Sequence, residues 1–195
     1  MIATTTRLTT RRLVLELLAP VHAAMLADFF VRNDEHLRRW DPPRPRGIVE
    51  PAYWEAEAAR AVEDYRDGAV VRWVAFAHDD ATRVVARANY TQIVRGPFQS
   101  CMLGYAIDHA FQGRGLMYEA LQATLAHAFE VLRLHRVQAN YQPENHRSAR
   151  LLQRLGFRVE GLASNYLYIN GAWRDHVLSA LTNAHFDTGV FDRDS

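Results

Sequence analysis

The stretch Leu103-Gly-Tyr-Ala-Ile107-Asp-His-Ala-Phe-Gln112-Gly-Arg-Gly115-Leu-Met-Tyr-Glu119-Ala-Leu121 decides how the chain is read: an apolar strand runs into a glycine-bearing turn and straight on into a long amphipathic helix. Such a turn aims successive backbone N–H groups at one point. The helix start adds unpaired N–H groups and the positive end of its dipole, so a pyrophosphate can sit there. Gln112-Gly-Arg-Gly115 lacks both the Lys-Ser/Thr pair of a triphosphate loop and the three-glycine spacing of a dinucleotide turn. A glycine-rich strand-to-helix connection can also be only a turn, so the rest of the chain must bear on the choice.

Working outward, Met117, Ala120, Leu121, Thr124, Leu125, Ala128, Phe129 and Leu132 recur at helical steps, which predicts one long helix after Gly115. A strand over 136–141 follows, parallel to the strand over 100–107 because a crossover helix separates them. Asn145 opens a second helix that ends at Gly156. Strands are expected over 157–161 and 166–169, then an Asn170-Gly171 turn and a strand over 172–181. Upstream, the pattern predicts a strand over 13–18, a helix from Pro20 to about Arg32, a helix over 51–65 opened by Pro51, and strands over 70–77 and 84–90 joined by a hairpin at 78–82. The fold class is α/β, with antiparallel strands first and one parallel pair at the centre of the sheet. No repeat, linker or composition shift divides the chain, so residues 1–195 read as one domain.

Gln112-Gly-Arg-Gly115 resembles the Gln/Arg-x-x-Gly-x-Gly/Ala motif of the GNAT N-acetyltransferases, in which the pyrophosphate of coenzyme A rests on the amides of the turn. Met117 stands where that pattern usually has Gly or Ala, which puts bulk near the expected ligand. The segments His135–Gly161 and Asn170–Leu181 resemble the second half of the same family's core and its closing hairpin. Arg11-Arg-Leu-Val-Leu-Glu-Leu17, Leu37-Arg-Arg-Trp40 and Ile93-Val-Arg-Gly-Pro-Phe98 extend the similarity upstream. Within the family the chain is most similar to the bacterial ribosomal-protein-alanine N-acetyltransferases of the RimJ/RimL type.

The resemblance implies a mixed, mostly antiparallel sheet flanked by helices, whose central parallel strands splay apart to admit the pantetheine arm of acetyl-CoA. Tyr105, Ala106 and Ile107 would then pair with that arm, while Gln112, Gly113, Arg114, Gly115, Leu116, Met117 and Asn145 would contact the cofactor. An amide near Leu103 or Gly104 would polarise the thioester carbonyl. A donor of this kind contributes roughly 3–4 kcal/mol. By the same resemblance Ser148 is the acid for the leaving thiol and Glu160 the base, acting through water. Both have ordinary readings too: Ser148 and Asn145 as helix-start residues, Glu160 as a solvent-facing strand residue. A strong base is not compulsory, because an α-amine with a pKa near 8 is already about a tenth neutral at pH 7.

For the acceptor, Trp40 in its Pro-rich loop, together with Tyr90, Tyr141, Tyr166 and Trp173, is taken as the wall of a cleft, although aromatics more often fill cores. The nine His show no metal-ligand spacing, so no metal is expected. The single Cys101 excludes an internal disulfide, fits a reducing compartment, and reads as a structural thiol on a buried strand.

Composition agrees with a cytoplasmic enzyme: 195 residues, 49% hydrophobic and 23% charged, can bury a substantial core. A formal charge of +1 argues against strong nucleic-acid binding, and neither a leader nor an apolar run of about 20 residues suggests a membrane partner. The expected activity is acetyl-CoA-dependent transfer to the N-terminal α-amine, Ala or Ser, of a ribosomal protein. Two alternatives stay open: a small-molecule amine as acceptor, or a non-catalytic CoA-binding or ribosome-assembly factor. The sequence is compatible with a monomer or a homodimer.

Overall fold

The computed structural model describes residues 7–191. Eight strands form one sheet in the order β1-β2-β3-β4-β5-β6-β8-β7, every neighbouring pair antiparallel except β5 and β6. The strands are β1 Arg7–Thr9, β2 Leu13–Leu17, β3 Val71–Ala77, β4 Ala86–Val94, β5 Ser100–Ile107, β6 Arg136–Gln138, β7 Arg158–Ile169 and β8 Ala172–Thr182. Between them run α1 Ala23–Arg32, α2 Asp34–Arg38, α3 Pro51–Arg66, α4 Leu116–Glu130 and α5 His146–Arg154.

Alternation along the strands gives the sheet two apolar faces, and each carries its own core. On one face α4 buries Met117, Ala120, Leu121 and Leu125 against Leu13, Leu15, Trp73, Tyr90 and Leu103. On the other, α1 and α3 bury Phe29, Phe30, Trp54 and Ala58 against Val74, Phe76 and Ala106, with Phe30 and Trp54 stacked 5.2 Å apart. Pro51 sits at the first position of α3, where its missing N–H costs nothing.

Several elements differ from the sequence reading. The short β1 and α2 escape it, because three or five residues carry no measurable period. The helix expected from Pro20 begins with a 3-10 turn, Pro20–His22, before α1. Strand β4 starts at Ala86 rather than residue 84 and runs on through Val94, since Thr91 and Val94 still find partners in Met102 and Ser100. The strands expected at 157–161 and 166–169 are one strand, β7. Register shifts at Val159/Gly161 and Ala163/Leu167 absorb the polar residues that read as a break, and the Asp175 carboxylate accepts the Asn165 N–H at 2.8 Å. The strand over 136–141 is shorter, ending at Gln138, and that early end opens the site.

Candidate active site

The cradle begins with a fixed exit from β5. Asp108 is fully buried, its carboxylate held by Arg32 at 3.0 Å and Arg83 at 2.9 Å, and it accepts the Ala110 N–H at 3.0 Å. Burial alone would raise its pKa, but these hydrogen bonds keep it below the usual carboxylate range. The chain then turns through Gly113 and Gly115, both at φ +74°, a left-handed conformation that side chains other than glycine resist. Gly115 is the N-cap of α4, so the turn and the unpaired amides of the first helical turn converge on one spot. A Cβ at Gly113 would meet no atom within 4 Å, so the protein leaves that approach open.

Long-range contacts brace this turn, none of them visible in the sequence. Arg12 donates from Nη1 to the Arg114 carbonyl at 2.8 Å, and from Nε and its backbone N–H to the Glu119 carboxylate, each at 2.7 Å. The Thr10 hydroxyl also donates to Glu119, at 2.7 Å. Burial favours the neutral carboxyl, but the Thr10 and Arg12 hydrogen bonds outweigh it and hold the Glu119 pKa low. The Gln112 side chain joins His36 of α2, 2.7 Å between nitrogens, to Arg147 of α5. Met117 does not crowd the cradle: its side chain is only 7% exposed and packs into the core, leaving its amide at the helix start.

Beside the cradle the sheet parts. The parallel ladder lasts three pairs, Ser100↔Arg136, Cys101↔Val137 and Met102↔Gln138, and then stops. Residues 103–107 stay with β4, while Ala139 and Tyr141 donate to Ser179 and Val177 of β8, so a cleft opens between the two central strands. Along its β5 wall the backbone groups of Leu103 to Ile107 have no β6 partner. At the cleft Asn145 caps α5, its side-chain oxygen accepting the Ser148 N–H at 3.1 Å. The Tyr105 hydroxyl is buried near the Ser148 side chain without a hydrogen bond to it, and burial pushes its pKa up to about 12.

The acceptor-side residues are divided. Tyr90 is not a cleft wall: it is 1% exposed and its hydroxyl pairs with Thr124 at 2.9 Å inside the core, because its position on β4 faces α4. Tyr141 is half-buried against the same core. Trp40 lies under the Arg39 guanidinium at 4.7 Å, and the preceding loop is tied to the cleft by Gln142, which donates to the Arg39 carbonyl at 3.3 Å. Tyr166 accepts from Asn140 at 3.1 Å. Trp173 is exposed, edge-on to Tyr168 near the tip of the β7–β8 hairpin. Glu160 is exposed and forms a two-point pair with Arg136, whose hydrogen bonds hold its pKa below the carboxylate range and make it a poor proton acceptor. Cys101 is buried, its thiol pushed up to about 12, so it offers no nucleophile.

These features meet their match in known proteins. The acetyltransferase (GNAT) domain pattern covers residues 12–158. The [ribosomal protein uS5]-alanine N-acetyltransferase of Escherichia coli K12 is 42% identical over 183 residues, 94% of each chain. The chain belongs to the GNAT acetyltransferase family. Among solved structures, the ribosomal-protein-S5-alanine acetyltransferase of Vibrio fischeri is 32% identical, with a TM-score of 0.89 over 93% of this acetyltransferase and 98% of that chain. RimJ of Mycobacterium smegmatis, solved in complex with a CoA disulfide, is 27% identical with a TM-score of 0.85 over 96% and 91%.

The acetyltransferase's own residues fit such a ligand. Two left-handed glycines, a helix start, and a β-strand edge without a partner supply only backbone donors and acceptors, as an extended thioester arm ending in a pyrophosphate requires. Sequence reasoning missed Arg12, His36 and Arg147, because each acts through a partner far away in the chain.

Proposed function

We propose that this acetyltransferase uses acetyl-CoA to acetylate the N-terminal α-amine, Ala or Ser, of a ribosomal protein, in a single catalytic domain working in the cytoplasm. The observation that carries the proposal is the 42% identity to the uS5-alanine enzyme across 94% of both chains, since that span includes the acceptor-side loop and hairpin as well as the cradle.

When bound, acetyl-CoA supplies the activated acetyl group. Gly113, Gly115 and the first amides of α4 hold its pyrophosphate, and Gln112 fixes the turn between α2 and α5. The unpaired edge of Tyr105 to Ile107 aligns the arm, and an amide near Leu103 or Gly104 offers its proton to the developing oxyanion. Ser148 holds a proton at Oγ for the departing sulfur, beside the Tyr105 hydroxyl. The α-amine needs little help to lose its proton, so the reaction does not depend on Glu160, whose carboxylate is held by Arg136.

Acetyl transfer read by mass spectrometry tests the reading, offering peptides that begin with Ala, Ser, Met or Lys beside a panel of small amines. Selective modification of the Ala or Ser α-amine is the expected result. Modification of small amines alone would overturn the substrate class.

A further inference from the structure

A cavity of about 230 Å³ opens on the sheet face opposite α4, between the Pro-rich loop, α3, and strands β3 and β4. Its floor includes Arg72, Arg87 and Asn89. Arg87 and Asn89 pair across β4 and β5 with Ala106 and Gly104, so the cavity lies one strand in from the edge where the central strands part. A second cavity of about 320 Å³ shares Asp41, Pro42, Pro43, Arg44 and Ile48 with it and reaches the Asn170-Gly171 turn. Together they run from the Asn170-Gly171 turn to the β4 floor, lined by residues outside the cofactor cradle.

The arginines lining these cavities are not equally paired. Arg44 is matched by Asp34 at 2.7 Å and Asp41 at 3.2 Å, and Arg72 by Glu57 at 2.9 Å. Arg87 forms no ion pair among the described residues; its Nε is buried without a hydrogen-bond partner. Its guanidinium lies over the Phe30 ring at 4.7 Å, and Arg44 shares that ring at 5.3 Å. Burial disfavours the charged form of Arg87, and the carboxylate that offsets this, Asp41, is already engaged by Arg44 at 3.2 Å, so a further carboxylate brought into the cavity would be favoured.

We propose that Arg87 pairs with a carboxylate side chain of the acceptor peptide, so that the enzyme selects N-termini in which Asp or Glu follows closely behind the acetylated residue. The inference rests on the proposed peptide α-amine acceptor and names the part of the peptide that is recognised. A planar guanidinium with free donors matches a carboxylate fork to fork, and Phe30, Trp54 and Pro42 give the cavity an apolar wall beside it. The cavity is smaller than the roughly 300–1,000 Å³ of a pocket for a whole small ligand, and suits a single side chain.

The test uses matched Ala-initiated peptides with Glu or Gln at the second, third or fourth position, acetyl-CoA, and kcat/KM from mass spectrometry. Wild type is expected to favour Glu about tenfold or more at one position. Arg87→Met should reduce that preference to less than about twofold, with CoA affinity unchanged by calorimetry and a native circular-dichroism spectrum. Arg87→Lys should keep part of it, and carries the test if the Met variant does not fold. Equal rates for both members of every wild-type pair, or a full preference surviving in the folded Arg87 variants, overturns the inference while leaving the peptide reading intact. Acetylation of small amines but of no peptide overturns both.

Discussion

The Asn145 side-chain oxygen accepts the Ser148 N–H at 3.1 Å, and the Tyr105 hydroxyl of the neighbouring strand is buried near the Ser148 side chain. The backbone of Ser148 is thereby committed to the helix, while its hydroxyl stays available to the cleft. The two residues that read as helix-start residues are so in the structure, and the chemical role of Ser148 is a proposal.

Removal of the Ser148 hydroxyl should therefore act on turnover. Ser148→Ala is expected to lower kcat by roughly 10²-fold, as for loss of a positioned general acid, with CoA affinity changed less than about threefold. Equal losses in kcat and in calorimetric CoA affinity would make it a binding residue. Tyr105→Phe combined with Ser148→Ala should cost less than the product of the two single losses, because the hydroxyls adjoin.

Gly115 answers to backbone geometry. At φ +74°, valine in its place is strained by an estimated 1–3 kcal/mol, which the cradle can relieve only by turning its amides away. CoA binding by calorimetry should weaken by about tenfold or more for Gly115→Val. An unchanged affinity would remove the cradle from the account.

Arg12 joins the β1–β2 turn to the cradle through two contacts to Glu119 and one to the Arg114 carbonyl. Arg12→Ala should cost about 1.5–3 kcal/mol in urea unfolding, as for hydrogen bonds to a charged group, and weaken CoA binding together with it. A stability loss with CoA affinity untouched would confine Arg12 to the fold.

His127 gives stability a defined pH slope. Both ring nitrogens are buried without a hydrogen-bond partner, the ring lies edge-on to Trp73 at 5.1 Å, and burial pushes its pKa down to about 4 from 6.5. Well above pH 6.5 neither folded nor unfolded imidazole is charged, so nothing is gained or lost. As the pH falls from 6.5 toward 4 the unfolded chain takes up a proton that the folded one refuses, and stability drops by on the order of 3 kcal/mol. His127→Met should lack this component, so its urea midpoint relative to wild type rises between pH 7 and pH 4.5. Parallel midpoints over that range would refute it.

The local chemistry of the chain determined much of this protein. The Gln112-Gly-Arg-Gly115 turn, the α4 period, the Asn145 cap and the Asn170-Gly171 hairpin are all written in neighbouring residues, because turn conformation and helix periodicity depend on nearest neighbours. Tertiary structure decided what those elements do to each other. Arg12 and Glu119 meet across 107 positions, Tyr90 turns into the core, Arg136 claims Glu160, and Arg87 is left unpaired under a proline-rich loop. Which face of a strand is covered, and which charge finds a partner there, depends on packing between segments distant in sequence, and no local pattern encodes it.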